Sequence, residues 1–114
     1  MREAAIDIGT HGDEATRRAA SARLAQVAQA VTQQRWDSEL LRVLEAMHAV
    51  GGPEAVAYAF WLAENEYAPA WLRRAALFVV ARHADLRDPS ARARGAALWV
   101  RLNGGGTTPV MANP

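Results

Sequence analysis

The sequence predicts an all-α protein, a small bundle of about five helices. Three prolines, Pro53, Pro69 and Pro89, each open an alanine-rich apolar run. Proline is favoured in the first helical turn because its missing N–H would be unpaired there and its φ already suits a helix. Apolar residues within the runs recur three or four positions apart, which is the spacing of one helix face.

The first helix is predicted from near Asp13 to about Arg35, with Asp13 as its N-cap and Glu14 in its first turn. Residues 1–12 before it are expected to be a flexible segment. The apolar residues of this helix form one narrow stripe, so we expect it to lie on a surface. The stripe comprises Ala20, Leu24, Val27, Ala28 and Val31.

The spacing of apolar residues changes at Trp36, where a second helix is predicted. Asp37 can cap this helix, and Trp36 and Leu41 have the spacing of a hydrophobic staple. Gly51 and Gly52 end it. Its buried face is predicted to contain Leu40, Leu44 and Met47.

Each proline then begins one further helix. The helix from Pro53 is apolar nearly all round, which is typical of a helix that is central in its domain or covered by a partner. The helix from Pro69 is predicted to end at His83 or Leu86, and the last one, capped by Asp88, to end at Asn103–Gly104. The inner face of the Pro69 helix comprises Leu72, Ala75, Ala76, Val79 and Val80.

Helix starts near residues 37, 53, 69 and 89 are compatible with two antiparallel helical hairpins stacked together, with the longer N-terminal helix laid across them. We therefore expect a single helical domain over residues 13–103. The glycine-rich residues 104–114 are expected to be a flexible C-terminal tail.

Composition narrows the function classes. The 114 residues include no cysteine, which excludes disulfides and thiolate chemistry and fits a reducing cytoplasm. The longest apolar run, residues 55–63, is too short for a membrane span, and the N-terminus lacks the apolar core of a secretory signal. All 13 basic residues are arginine and alanine is abundant, which favours a high-GC bacterial or phage genome. We expect a soluble cytoplasmic protein with no membrane partner.

The most informative functional pattern is a second face on the Pro69 helix. Trp71, Arg74, Phe78 and Arg82 follow at spacings of three, four and four, so they form one ridge away from the inner face. Aromatic rings and guanidiniums together can stack, pair with carboxylates or bind phosphates. One interpretation is a partner-binding face that continues to Trp99. The other is that both rings pack under the first helix while the arginines bridge to its acids.

Charge is distributed unevenly along the chain. Residues 1–72 contain six arginines and ten acids, whereas residues 73–114 contain seven arginines and two acids. The last two helices could therefore contact nucleic acid through phosphates, although few side chains there could read bases. The candidate contacts are Arg73, Arg74, Arg82, Arg87, Arg92, Arg94 and Arg101.

Residue patterns for catalysis, metals or cofactors are weak. His83 lies on an apolar stripe, where a histidine is usually a core or helix-end residue. Glu45 and His48 match the Glu-x-x-His spacing of carboxylate-bridged metal sites, but the sequence has no second such pair. Gly104–Gly106 follows a helix rather than a strand, so it is not a phosphate loop. We predict no catalytic residue, metal, cofactor or small-molecule substrate.

Two functions remain from different classes. The favoured one is a non-enzymatic helical protein-interaction or assembly module, either a homo-oligomer or a small subunit of a larger complex. Four tryptophans exceed what so small a core needs, and aromatic and arginine side chains are enriched in interface hot spots. The alternative is a small nucleic-acid-associated protein that contacts phosphates through its C-terminal arginines.

Overall fold

The computed structural model describes residues 2–34, 38–85 and 87–102, and every regular element within these ranges is an α-helix. The prediction of an all-α protein is confirmed, with six helices in place of about five. Among the described residues, no helix combines the length and the apolar character needed to cross a membrane. The helices are α1 (Arg2–His11), α2 (Glu14–Gln34), α3 (Ser38–Val50), α4 (Pro53–Glu64), α5 (Ala70–His83) and α6 (Pro89–Leu102).

The additional helix, α1, occupies the segment that was expected to be flexible. Ala5 is buried, and Gly9 lies so close to α3 that a Cβ at this position would overlap the carbonyl oxygen of Ala49. A ten-residue helix is marginal in isolation and depends on tertiary packing. The contact with α3, which the local sequence does not reveal, therefore explains why the helix forms.

Several predicted helix starts are confirmed. The Asp13 carboxylate accepts a hydrogen bond from the Thr16 amide at 2.7 Å, and Asp88 accepts one from the Ser90 amide at 3.0 Å. Pro53 is the first residue of α4, whereas Pro69 precedes α5, which begins one residue later than predicted. The predicted Asp37 cap, the staple of Trp36 with Leu41, and the helix end at Asn103–Gly104 depend on residues outside the described ranges.

Helices α2, α3, α5 and α4 form a closed ring of contacts around the core, each packing on the next. The predicted inner face of α3 is confirmed, since Leu40, Leu44 and Met47 are buried. On α5, Leu72, Ala76 and the two valines are buried as predicted, but Ala75 is only half-buried and lines a groove beside α3. Helix α1 packs outside α3 and α2, and α6 packs outside α5. This arrangement leaves the outer face of α5, between α3 and α6, accessible.

The pairing of the helices differs from the expected hairpins. As expected, the long helix α2 lies against both α3 and α4. However, α4 packs most extensively on α5, and α3 packs on α1, α2 and α5, so α3 and α4 do not form the predicted hairpin. The short link between α3 and α4 directs the chain across the core instead of back along α3.

That link consists of Gly51 and Gly52, which end α3 as predicted. Both have positive φ, 73° and 95°, a conformation that favours glycine. Gly52 is the N-cap residue of α4, and it has no side chain that could cap the helix. The helix is capped instead by Ser21 of α2, whose fully buried hydroxyl oxygen accepts a hydrogen bond from the Ala55 amide at 3.1 Å.

Candidate functional site

The predicted ridge lies on the accessible face of α5. Trp71 is 45% exposed and Phe78 is 56% exposed, and Arg74 and Arg82 are also exposed. Helix α5 packs on α3, α4 and α6, so these two rings are not covered by α2, which is the helix they would lie under in the alternative interpretation. The ridge is thus available for contact, while its role in binding stays a prediction.

Trp99 of α6 joins one side of this ridge. It is half-buried against the core, and with Arg74, Leu77 and Phe78 it lines a small hollow of about 30 Å³ between α5 and α6. The structure therefore brings Trp99 next to Phe78, from 21 positions away in the sequence. The sequence analysis included Trp99 in the partner-binding face but did not predict its place beside Phe78.

The arginines at the start of α5 contact the ends of two neighbouring helices. Arg73 donates its Nε hydrogen to the carbonyl of Ala63, in the last turn of α4, at 3.0 Å. Arg74 donates its Nε hydrogen to the carbonyl of Leu102, the last residue of α6, at 3.4 Å. A guanidinium at a helix C-terminus satisfies an unpaired carbonyl and complements the helix dipole.

Arg82 takes part in a cluster with two histidines. Its Nη1 lies 3.2 Å from Nδ1 of His48, and Nε2 of His83 lies 2.6 Å from the carbonyl oxygen of His48. Burial, followed by the positive charge of Arg82, lowers the pKa of His48. A lowered pKa favours the neutral form of His48, whose Nδ1 can accept a hydrogen bond from Arg82.

Other candidate phosphate contacts also have partners within the chain. Arg94 forms a two-point ion pair with Glu64, at 3.1 and 2.5 Å, and its guanidinium lies 4.2 Å from the centre of the Phe60 ring. Arg87 pairs with Asp85 at 3.1 Å. Five of the seven predicted phosphate contacts are therefore engaged; the other two are Arg92, which is half-buried on α6, and Arg101, which is exposed.

A groove of about 480 Å³ runs beside the ridge, between α1, α3 and α5. The ridge contributes Phe78 and Arg82 to it, and α1 contributes Ile6, which is 46% exposed. The sequence analysis missed the remaining lining residues, because it assigned α1 as flexible and did not predict which helix would face α5. These residues are Leu44, Glu45, His48, Ala49 and Ala75.

A second, larger groove of about 860 Å³ lies between α2 and α4. Trp61, which is 49% exposed, forms one wall beside Tyr58, with ring centres 5.7 Å apart. The Tyr58 hydroxyl bonds Thr32 at 2.5 Å, and burial raises the pKa of Tyr58. Helix α4 was predicted to be central or covered by a partner; six of its 12 residues are buried, and Trp61 is its exposed large apolar side chain.

His83, Glu45 and His48 are the other residues that the sequence analysis considered for chemistry. His83 is half-buried and bonded at the end of α5, as a helix-end histidine would be. Glu45 and His48 both line the first groove, but within the described ranges no three histidine, aspartate or glutamate side chains are close enough together to hold a metal ion.

Comparison of the chain with protein-family models, with curated proteins and with solved structures finds no match.

Proposed function

We propose that this chain is a non-enzymatic helical protein-interaction module that binds a protein partner, either another copy of itself or a larger complex, through the outer face of α5. The proposal is supported above all by Trp71 and Phe78, two large rings on one face of a packed helix that remain about half exposed. Single exposed apolar residues are common, but a set of adjacent ones indicates an interaction surface. The proposed contact residues are Trp71, Arg74, Phe78, Arg82 and Trp99.

The arrangement of this face resembles a protein interface more than a phosphate-binding surface. Arg74 and Arg82 are held by hydrogen bonds to Leu102 and His48, so their long side chains lose less entropy on binding. The Phe78 ring lies between them on α5, and Trp99 is alongside. Buried aromatic and arginine side chains dominate the energetics of many interfaces. We further propose that the protein acts in the cytoplasm, since a chain without cysteine suits a reducing compartment.

Nucleic-acid binding has less support as the alternative. A phosphate contact would have to displace the carboxylates of Glu64 and Asp85 from Arg94 and Arg87. It would also have to recruit Arg73 from its half-buried contact with the end of α4. Each exchange replaces an existing charge-assisted bond rather than adding a new one.

Site-specific photo-crosslinking in the native host tests the proposal. A photoreactive benzoylphenylalanine replaces Phe78, and in a matched control it replaces Tyr67, which is 91% exposed in the turn before α5. We expect a discrete protein adduct from position 78 and none from position 67, and mass spectrometry identifies the captured chain. Adding Trp71→Ala should reduce the adduct while circular dichroism remains unchanged.

Two results would contradict the proposal. One is equal adduct yield from both positions, which would indicate random collision. The other is an adduct at position 78 that disappears after nuclease treatment, which would favour the nucleic-acid alternative.

A further inference from the structure

The two helices that form the accessible surface, α5 and α6, contain no aspartate or glutamate. Apart from His83, every side chain of these helices that can carry charge at neutral pH is an arginine. Negative charge near this surface therefore comes from other helices. Glu64 of α4 pairs with Arg94, and Glu45 of α3 lines the adjoining groove.

The two arginines of the ridge keep their positive charge. Arg74 contacts the carbonyl oxygen of Leu102, and Arg82 contacts Nδ1 of His48, so both partners are uncharged acceptors. In the described part of the chain, neither guanidinium has a carboxylate partner. A guanidinium has five N–H donors, so each retains donors for a further bond. The ridge thus presents two exposed cations beside two exposed rings.

Rings and guanidiniums alternate in a single row along α5. The members of the row are Trp71, Arg74, Phe78 and Arg82. Each interval is about one helical turn, or about 5.4 Å, and the two arginines are about 12 Å apart along the helix axis. A second helix that lies along α5 presents its own side chains at the same interval. Apolar and acidic residues that alternate on one face of that helix would meet the rings and the guanidiniums in turn.

A nucleic-acid strand fits this row less well. Its phosphates form one line and its bases form another, so proteins that bind single strands combine a positive track for the backbone with separate aromatic platforms for the bases. On α5 the cations and the rings share one line, with Phe78 between Arg74 and Arg82. That order matches a row of helix side chains, in which acidic and apolar residues can follow one another.

We propose that the ridge binds an acidic amphipathic α-helix of a different protein. Two carboxylates of that helix, seven or eight residues apart, pair with Arg74 and Arg82, and its apolar side chains cover Trp71 and Phe78. This inference rests on the proposed function and names the chemistry of the partner. The complementarity is one of charge as well as of spacing, because the surface formed by α5 and α6 supplies no acid of its own.

A second copy of the chain would supply such a helix only at a cost. Helix α4 has an exposed ring, Trp61, with an acid on either side of it in the sequence, Glu54 and Glu64. Both acids already form ion pairs within the chain, with Arg18 and Arg94. Docking α4 on the ridge of another copy would exchange two ion pairs for two others and gain little. A helix of a different protein brings carboxylates that this chain has not already paired.

Fluorescence anisotropy with two labelled peptides tests the inference. Each peptide is alanine-based and about 20 residues long, so that it can form a helix. On one face, two leucines alternate at one-turn intervals with two polar residues, which are glutamate in one peptide and glutamine in the other. We expect the glutamate peptide to bind with a Kd below about 100 µM, and the glutamine peptide to bind about tenfold more weakly, roughly threefold for each ion pair. High salt should reduce this difference.

Variants of the protein assign the difference to the ridge. Arg74→Gln and Arg82→Gln should each reduce the preference for the glutamate peptide from about tenfold to about threefold, and the combined variant should remove it. Arg23→Gln makes the same change at an exposed position on α2, outside the ridge, and should leave the preference unchanged. Circular dichroism checks that each variant is folded.

Three results would overturn the inference. One is equal affinity for the two peptides, and another is no binding of the glutamate peptide at about 1 mM, the weakest affinity that would still be specific. The third is tighter binding of an oligothymidine of the same length, which would favour the nucleic-acid alternative. A segment without acidic residues, captured by crosslinking from position 78, would refute the acidic helix and leave the proposed function intact. Absence of both peptide binding and crosslinking would refute both.

Discussion

Replacing Ser21 by alanine should destabilise the fold through α4, although Ser21 belongs to α2. The hydroxyl of Ser21 is fully buried and accepts the Ala55 amide, and Gly52 offers that helix end no side chain. Ser21→Ala removes the acceptor and adds no bulk, so the Ala55 N–H is left buried without a partner. Loss of a cap costs about 1 kcal/mol, and a buried unsatisfied donor costs about 1–3 kcal/mol. We expect a loss of about 2 kcal/mol in the free energy of unfolding.

For a chain of this length, about 2 kcal/mol corresponds to a decrease in Tm of roughly 10 °C. Urea and thermal unfolding followed by circular dichroism measure both quantities. Ser90→Ala is the matched control, because it makes the same chemical change at an exposed position on α6. Its effect should stay within about 0.5 kcal/mol. If Ser21→Ala costs no more than Ser90→Ala, the assignment of Ser21 as the cap of α4 is wrong.

Three further predictions concern the α3–α4 link, the histidine cluster and α6. Gly51→Ala should lower the free energy of unfolding by about 1–3 kcal/mol in urea titrations, because φ is 73° and a Cβ there would overlap the His83 ring; an unchanged midpoint would contradict this. Burial lowers the pKa of His48 in the folded state, so the folded state resists its protonation. Its contribution to stability is therefore fully present above the unfolded pKa of about 6.5 and declines as the pH falls below it. The urea midpoint should fall from pH 7.5 to pH 5, with a smaller decrease in His48→Gln; equal slopes would refute the assignment. Arg94→Ala should cost about 1 kcal/mol by thermal unfolding, since its ion pair is partly exposed and its ring contact is modest, whereas Arg101→Ala should cost close to nothing.

Much of the secondary structure was determined locally and could be predicted. Asp13 and Asp88 cap helices through amides two or three residues away, so the residues that make each cap stand together in the sequence. Gly51 and Gly52 end α3 by their own backbone conformation. The ridge of Trp71 and Phe78 follows from helical spacing alone, because one face of α5 was already assigned to the core.

The site was determined only in part by the sequence. Periodicity placed Phe78 and Arg82 on one face, but it could not show that Glu45 of α3 and Ile6 of α1 complete the groove beside them. Nor could it show that most of the C-terminal arginines already have partners within the chain, such as Glu64 for Arg94, 30 residues away. Among these arginines, Arg87 and Arg94 pair with carboxylates of the same chain, which reduces the positive charge they present to solvent.

The sequence by itself determined that this chain is helical, where most of its helices begin, and which residues share a face of α2, α3 and α5. Only the tertiary structure decided that α1 forms, that Ser21 caps a helix distant in sequence, and that α3 packs on α5 rather than on α4. The physical reason is the range of the interactions. Caps, turns and helical periodicity act over a few residues, whereas the packing of alanine-rich faces is non-directional, so many pairings of these helices would bury similar apolar surface. The observed pairing depends on specific long-range contacts, such as the close approach of Gly9 to Ala49, which leave no local signal.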